Sequence, residues 1–433
     1  MFSTARLLLV TGIVLAALSL AACEAADATP TPRPTWTPRI VTIVITQTPE
    51  PSNTPEPTKT PAAVAVANPT AVGAPRVAAP APVVNDPLLP KFAPFPPVPI
   101  PARPANINPL TGLQVDPAVL QRRPIVARIG NDQIVRTSNW HVGLSQADLV
   151  FEELIDILGS QYANTRYNAV YLTNDPPAIG PIRSGRIIDF QLVPMLDAAL
   201  AHAGGSNGTR WLFSQSPMIN LDEYFNQPAY CYDTQHGYQG RLYTSAVRIR
   251  EWLKQKGWEA PVPLYGFNFS TSAPAGTPIT SIGIDKAPWP SWETVQWKYD
   301  AASGTYLRFT TNTPHMDSSY SLTAKWGNGA DCDVTSKATL SQIRTSNVVI
   351  LYAPHEKTNI IEDSNNAVSV HITLTGQGNA QFFRDGVEVA GKWSRGTEQE
   401  FFNFTDSTGK AVSLKPGTTW FEIVPIGYQP DLK

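Results

Sequence analysis

About half of the chain's 41 prolines fall within residues 24–105, and no other feature limits the fold so strongly. Proline fixes φ and removes a backbone donor. A segment reading "ATPTPRPTWTPR", "TQTPEPSNTPEPTKTPAA" and "APFPPVPIPARP" therefore has little apolar surface and few hydrogen bonds from which to build a core. It is expected to be a semi-stiff, disordered tether of up to ~3.1 Å per residue, on the order of 250 Å when drawn out. The run "RIVTIVIT" (39–46) is β-rich and is read as a transiently ordered piece of that tether. Whatever packs must then lie beyond about residue 105.

The other end of the tether explains its length. "MFSTARLLLVTGIVLAALSLAAC" carries one basic residue, Arg6, then a short apolar run, then small residues up to Cys23. The run is too short to span a bilayer and has the build of a signal peptide over residues 1–23. Leu20-Ala21-Ala22-Cys23 fits a lipobox, in which the cysteine is acylated and becomes the first residue of the mature chain. Several acyl chains on one cysteine hold firmly, since each buried methylene contributes about 0.8 kcal/mol. The expected place of the protein is the extracytoplasmic face of the cell membrane, anchored by its N-terminal lipid.

The remaining 330 or so residues suffice for two domains. Thirty-three basic against 35 acidic residues leave a net charge of −2, and basic runs are absent, which argues against nucleic-acid binding. Apart from Cys23 there are Cys231 and Cys332, a possible disulfide outside the cytoplasm. The expected class is α+β. A mixed α/β domain over 106–270 precedes a mostly antiparallel β domain over 275–433. In the first, "RPIVARIG" is a strand bounded by Pro and Gly, and "LVFEELI" and "TRYNAVYLT" are strands expected to pair. Ser145 and Asp148 have capping-box spacing. "IIDFQLVPMLDAAL" is amphipathic and is interrupted by Pro194. "SAVRIREWLKQKGW" is a helix stopped by Gly257. In the second domain "TVQWKYD", "TYLRFTT", "NVVILYA", "AVSVHITLT" and "WFEIVPI" alternate with period two, and "RDGVE" (384–388) is a hairpin signal.

"IGPIRSGRIIDF" (179–190) sets Arg183 and Arg186 three apart after a Gly-Pro turn. Two uses compete. As structural anchors, the guanidinium groups would satisfy Asp148, Glu152 and Glu153 as buried pairs. As a site, they would join Arg166, Ser184 and His202 around an anion such as a phosphate or a sugar acid. Arg186, entering an apolar segment, is the expected anchor, and Arg183 the expected ligand-facing residue. His315 and Asp317 of "PHMD", with His202, His236 and His355, lack the spacing of a zinc motif. A triad of Ser184 or Ser206 with His202 and Asp189 uses residues common enough to co-occur by chance. No cofactor or metal is expected. Trp289, Trp292, Trp297, Trp326 and Trp393 are read as packing residues rather than sugar platforms.

"GLSQADLVFEEL", "GPIRSGR", "HAGGS" and "LYTS" (242–245) resemble the N-terminal domain of the YerB-like bacterial lipoproteins. "YLR", "PHMD", "NVVILYA", "GQGNAQFFRDGVEVAGKW" and "PGTTWFEIVP" resemble that family's C-terminal domain, in the same order. The family's domains have no known function, so the resemblance implies no catalytic residue. It does imply a "GP(I/V)RS.R" pattern, met here by Gly180, Pro181, Arg183, Ser184 and Arg186. Family members tend to have His-Asn just before "LYTS", whereas this chain has Gly240 and Arg241. The function these features favour is non-catalytic binding of an anionic envelope component or an envelope protein through an arginine-lined cleft. The alternative is an enzyme acting on cell-wall or phospho-polymer substrates, its arginines stabilising charge beside Asp148 or Glu152.

Replacing the lipobox cysteine tests the anchor. Cys23→Ala is expected to move the protein out of the membrane fraction or leave it unprocessed. Fatty-acid labelling that still marks the variant would contradict it.

Overall fold

The structure, a computed structural model, describes residues 88–90, 103–284, 289–290, 293–323, 327 and 329–433. Cys23 with its lipobox, the run 39–46 and nearly all of the proline-rich segment lie outside the described residues, as do Trp292 and Trp326.

The fold is mainly β with a few short helices, an α+β arrangement. The first half of the sequence supplies β1 (Ile125–Gly130), β2 (Leu149–Leu154), β3 (Thr165–Tyr171), β4 (Ala199–His202) and β5 (Ile219–Asp222). The second half supplies β6 (Ser281–Ile284), β7 (Val295–Asp300), β8 (Thr305–Thr310), β9 (Asn347–Ala353), β10 (Gly376–Arg384), β11 (Val387–Arg395) and β12 (Thr419–Pro425). Among the described residues, eleven strands form one mixed sheet. Its main path runs β11-β10-β9-β12-β2-β3-β1-β4-β5, with Thr277–Pro278 and Asn403–Asp406 both beside β11.

The two halves of the sequence meet inside that sheet. β12 lies between β9 and β2 and is parallel to both. The second half is thus less antiparallel than its sequence suggests, because its long return from Ala353 to Thr419 brings β12 back in the direction of β9. β6, β7 and β8 form a separate antiparallel sheet. It packs on one face of the central one, where Trp297 meets Trp420 edge to face at 5.2 Å.

Local signals explain several of the elements. Asp385 and Gly386 both have positive φ, 54° and 73°, and close the β10–β11 hairpin in two residues. Helix α1 (Asn207–Gln215) is capped by Ser206, whose side chain accepts from the Thr209 amide. Helix α2 (Ala246–Gln255) is capped by Ser245 and is followed by Gly257 at φ +68°. Its buried face is Ala246, Ile249, Arg250 and Leu253, the i, i+3, i+4, i+7 stripe. Around Pro194 the amphipathic run splits into the turns Asp189–Leu192 and Pro194–Leu196. Trp289, Trp297 and Trp393 are buried, Trp297 donating to Glu422 and Trp393 to the Tyr352 carbonyl.

Every residue of β1, β2 and β3 is buried, although these strands carry Arg128, Glu152, Glu153, Arg166 and Asn168. A strand covered on both faces has no solvent side on which to place a charge. Each must find a partner inside or keep a large desolvation penalty.

Cys231 and Cys332 form a disulfide with a Cα–Cα distance of 4.9 Å. It fastens the short ladder Cys231–Tyr232/Leu242–Tyr243 to the segment around Ala330, where the Tyr232 amide also donates to the Ala330 carbonyl at 2.9 Å. The bridge spans 101 positions. Cys332→Ser is expected to lower the unfolding free energy by about 2–5 kcal/mol. Urea titrations with and without reductant check this, and an unchanged midpoint under reduction would oppose it.

Candidate functional site

Neighbouring residues on a strand face opposite sides of the sheet. Glu152 and Glu153 on β2 therefore seed two separate charge clusters.

On the face covered by β6–β8, Glu152 lies directly across the parallel ladder from Glu422 on β12. Arg308 on β8 bridges them, its Nη2 donating to Glu152 at 2.6 Å and its Nη1 to Glu422 at 3.1 Å. The Arg308 Nε donates to His315 Nδ1 at 2.9 Å. His315 Nε2 meets His141 Nδ1 at 2.8 Å, and His141 Nε2 meets the Gly130 carbonyl at 2.7 Å. The hydrogens of this chain are fixed by elimination. The Gly130 carbonyl can only accept, so His141 Nε2 carries a hydrogen and its Nδ1 accepts from His315 Nε2. That leaves His315 Nδ1 to accept from Arg308. Both rings are neutral in this chain. Burial, then Arg136 and Arg308, push His141 down to about 3. Burial, His141 and Arg308 hold His315 well below the ordinary range. Burial and the neighbouring Glu152 raise Glu422 well above a usual carboxyl.

On the opposite face, Arg128 pairs with Glu153 and, at 3.2 Å, with Asp189. Burial, with Asp189 beside it, pushes Glu153 up to about 8. Asp189 also accepts from Asn168 and from the Arg186 amide. The Gly180–Arg186 loop is laid against the end of β1, where the Gly130 amide donates to Pro181 and the Arg183 amide to Arg128. Gly185 is required there, because a Cβ would stand 2.6 Å from the Phe213 ring.

This loop distributes the arginines unequally. Arg186 is buried, 3.6 Å from Asp156 and 3.5 Å from Glu362. Glu362 also accepts from Thr209 in the first turn of α1, at 2.8 Å. Arg183 is half-buried, 3.4 Å from Asp132, and donates to the Tyr238 carbonyl. Arg166 is only 6% exposed and donates to the Ser184 carbonyl at 2.7 Å. Among the described residues no carboxylate lies within ion-pairing distance of Arg166. Burial, then Arg186, Arg183 and Arg128, push its pKa well below an ordinary guanidinium.

The sequence suggested Asp148, Glu152 and Glu153 as partners for Arg186, and the structure corrects all three. Glu152 faces Arg308 and Glu153 faces Arg128. Asp148 makes no ion pair among the described residues and accepts from Asn108, from the Leu172 and Thr173 amides and from the Thr173 hydroxyl. The Ser145–Asp148 capping box is likewise not formed. The turn Leu144–Gln146 is capped from 172 positions away by Asp317, which accepts the Leu144 and Ser145 amides and is pushed up to about 6 by burial. His202 is engaged by the Gly204 carbonyl and Asn220.

Gly204-Gly205-Ser206-Asn207-Gly208, following β4, has the spacing of a nucleophile elbow. Here Ser206 has φ −62°, caps α1 and donates to Thr209. Among the described residues no imidazole hydrogen-bonds it. Arg128, Arg308, His141, Glu362 and Glu422 escaped the sequence reading. For Arg128, Arg308 and Glu422 the only sequence signal was a charge inside a largely apolar strand, as in "IVARIG" and "WFEIVP"; His141 and Glu362 lie outside strands and had none.

Fold and buried clusters define a class: a mainly β protein whose sequence halves complete one mixed sheet. Residues 110–259 match the family described as "Protein of unknown function (DUF3048) N-terminal domain" and residues 286–421 match its C-terminal domain. The chain belongs to this YerB-like family. It is homologous to "Putative lipoprotein YerB" of Bacillus subtilis (strain 168), at 25% identity over 329 residues, 73% of this chain and 86% of that protein. The crystal structure of YerB protein from Bacillus subtilis shares the fold, with a TM-score of 0.59 and 22% identity. That likeness covers 76% of this chain and 99% of that one.

Removing Arg308 strands two buried carboxyls. Arg308→Ala is expected to cost about 3–5 kcal/mol, whereas adding Glu152→Gln and Glu422→Gln to it should recover much of the loss. Urea unfolding of the single and triple variants checks this. Additive losses would show that the three side chains do not act together.

Proposed function

We propose that this is a lipid-anchored protein of the bacterial envelope that binds an anionic envelope component through Arg166, Arg183 and Ser184. The lipobox at Leu20–Cys23 and the lipoprotein naming of the Bacillus subtilis relative support the anchoring. The proline-rich segment would carry the folded part away from the membrane surface.

One observation carries the binding site: Arg166 is a nearly buried guanidinium among three other arginines, hydrogen-bonded to a carbonyl and, among the described residues, with no carboxylate closer than the longer-range Asp132 and Asp156. A charge in that position costs stability unless something compensates it. A phosphate or carboxylate would do so and would gain charge-assisted hydrogen bonds. The Ser184 hydroxyl is partly exposed beside it and has no partner among the described residues. Arg183 has Asp132 at 3.4 Å as its one carboxylate among the described residues, beside a hydrogen bond to the Tyr238 carbonyl, and an incoming anion can replace that carboxylate. Arg186, with two carboxylates, is the anchor that fixes the loop.

Thermal melts of the full chain in phosphate and in chloride of equal ionic strength test the reading. Phosphate is expected to raise Tm, and a ligand at a hundredfold excess over Kd contributes about 2.7 kcal/mol. Arg166→Met should hold or raise Tm in chloride and lose the phosphate increment. Arg183→Ala should leave the chloride Tm nearly unchanged and reduce the increment. Arg186→Ala should destabilise under both conditions, by about 3–5 kcal/mol. A wild type stabilised no better by phosphate than by chloride overturns the site.

A further inference from the structure

We propose that the anion taken by Arg166 and Arg183 belongs to a glycan, whose sugar rings stack on the exposed aromatic side chains flanking those arginines. The inference rests on the anion-binding reading above and adds the class of ligand.

Clustered exposed apolar side chains mark interaction sites, whereas scattered single ones do not. Here Tyr238, Tyr224 and Phe225 are 65%, 62% and 72% exposed. Tyr238 and Tyr224 lie beside arginines of the loop or its neighbours, and Phe225 lies against Tyr224. The Tyr238 ring has the Arg183 guanidinium 4.8 Å from its centre and that of Arg241 at 5.2 Å. On the other side the Arg210 guanidinium lies 5.6 Å from the Tyr224 ring, which meets Phe225 edge to face at 5.0 Å. The two ends are joined through the arginine loop. The Ala203 amide donates to the Arg183 carbonyl, and the Gly185 amide donates to Gly204, against which Arg210 packs.

The loop that carries Tyr238 is built to hold it outward. Its base is the Cys231–Tyr232/Leu242–Tyr243 ladder, locked by the disulfide. Trp140 stacks on His236 at 4.1 Å, and it leaves no room for a side chain at Gly240, where a Cβ would stand 2.2 Å from the ring. Gly240 lets the loop close on Trp140, and Arg241 supplies a second cation for Tyr238.

Charge favours an acidic ligand over a neutral one. Arg183 and Arg210 each have one carboxylate, Asp132 at 3.4 Å and Asp222 at 3.0 Å. Arg241 and Arg166 have none within ion-pairing distance among the described residues. Guanidinium groups recognise phosphate and carboxylate by paired N–H donors. Exposed tyrosine and phenylalanine offer flat apolar faces to the C–H face of a pyranose, and tyrosine adds a hydroxyl for its polar edge. A polymer alternating sugar rings with phosphate or carboxylate groups matches both features.

Titration of the full chain with five probes tests this: phosphomannan, polygalacturonate, neutral dextran, inorganic polyphosphate and a single-stranded oligonucleotide. The two acidic glycans are expected to bind about tenfold more tightly per anionic group than polyphosphate, the scale of one aromatic contact. Tyr238→Ala should lose that factor and Tyr238→Phe keep it, with Tm and polyphosphate affinity unchanged in both. A preference for phosphomannan or for polygalacturonate separates a phosphate from a carboxylate source, and either supports the inference. Equal binding of polyphosphate and glycans, with Tyr238→Ala neutral, overturns the glycan while leaving the anion site standing. Dextran binding as well as the acidic glycans also overturns it, as does tighter binding of a single-stranded oligonucleotide. If none of the probes binds and phosphate melts also fail, the anion site falls with it.

Discussion

Arg308 reaches from β8 to two carboxyls on adjacent strands of another sheet, and the fold is organised around that reach. Glu152 comes from the first half of the sequence, and Glu422 and Arg308 from the second. A buried ion pair of this kind stabilises little on balance, since desolvation offsets most of the attraction. What it imposes is register. A one-residue slip between β2 and β12 would turn every side chain of the slipped strand to the other face. Glu152 would leave Arg308 and Glu153 would leave Arg128. Apolar residues alone would tolerate that slip far better than two opposed charge clusters do.

The two clusters differ in completeness. Around Arg308 the donors and acceptors run on through His315 and His141 to a backbone carbonyl, so the network closes inside the protein. Around the Arg183–Arg186 loop it does not close. Glu153 and Asp189 take Arg128, and Asp156 and Glu362 take Arg186, but Arg166 is left with a carbonyl. The difference follows from location. The first cluster is sealed between two sheets, whereas the second is covered by a loop whose Ser184 and Arg183 are still in contact with solvent.

What the sequence made legible was local. Asp385-Gly386, Gly257 and Pro194 act within a few residues of themselves, and each did what its chemistry requires. Opaque features were those set by residues far apart. Glu362 lies 176 positions from Arg186 and nothing near either residue announces the contact. Asp317 caps a turn that has a serine and an aspartate of its own at suitable spacing, and sequence reasoning naturally chose the near pair. The disulfide was a possibility that only the placement of two loops could decide. The arginine motif lay in between: its anchoring and exposed members were distinguishable, and their partners were not.

The placement of β12 has a bearing on how such a chain comes to be made. It is the last long strand of the sequence, yet it lies in the middle of the sheet, paired on both edges. During synthesis from the N-terminus, β2 waits for a neighbour some 270 positions downstream, and Glu152 waits with it. The central ladder can be completed only when nearly the whole polypeptide is available. This ordering keeps the sheet open until that last strand arrives. It also means that a copy released early would lack its keystone strand, expose two unpaired sheet edges and be readily degraded.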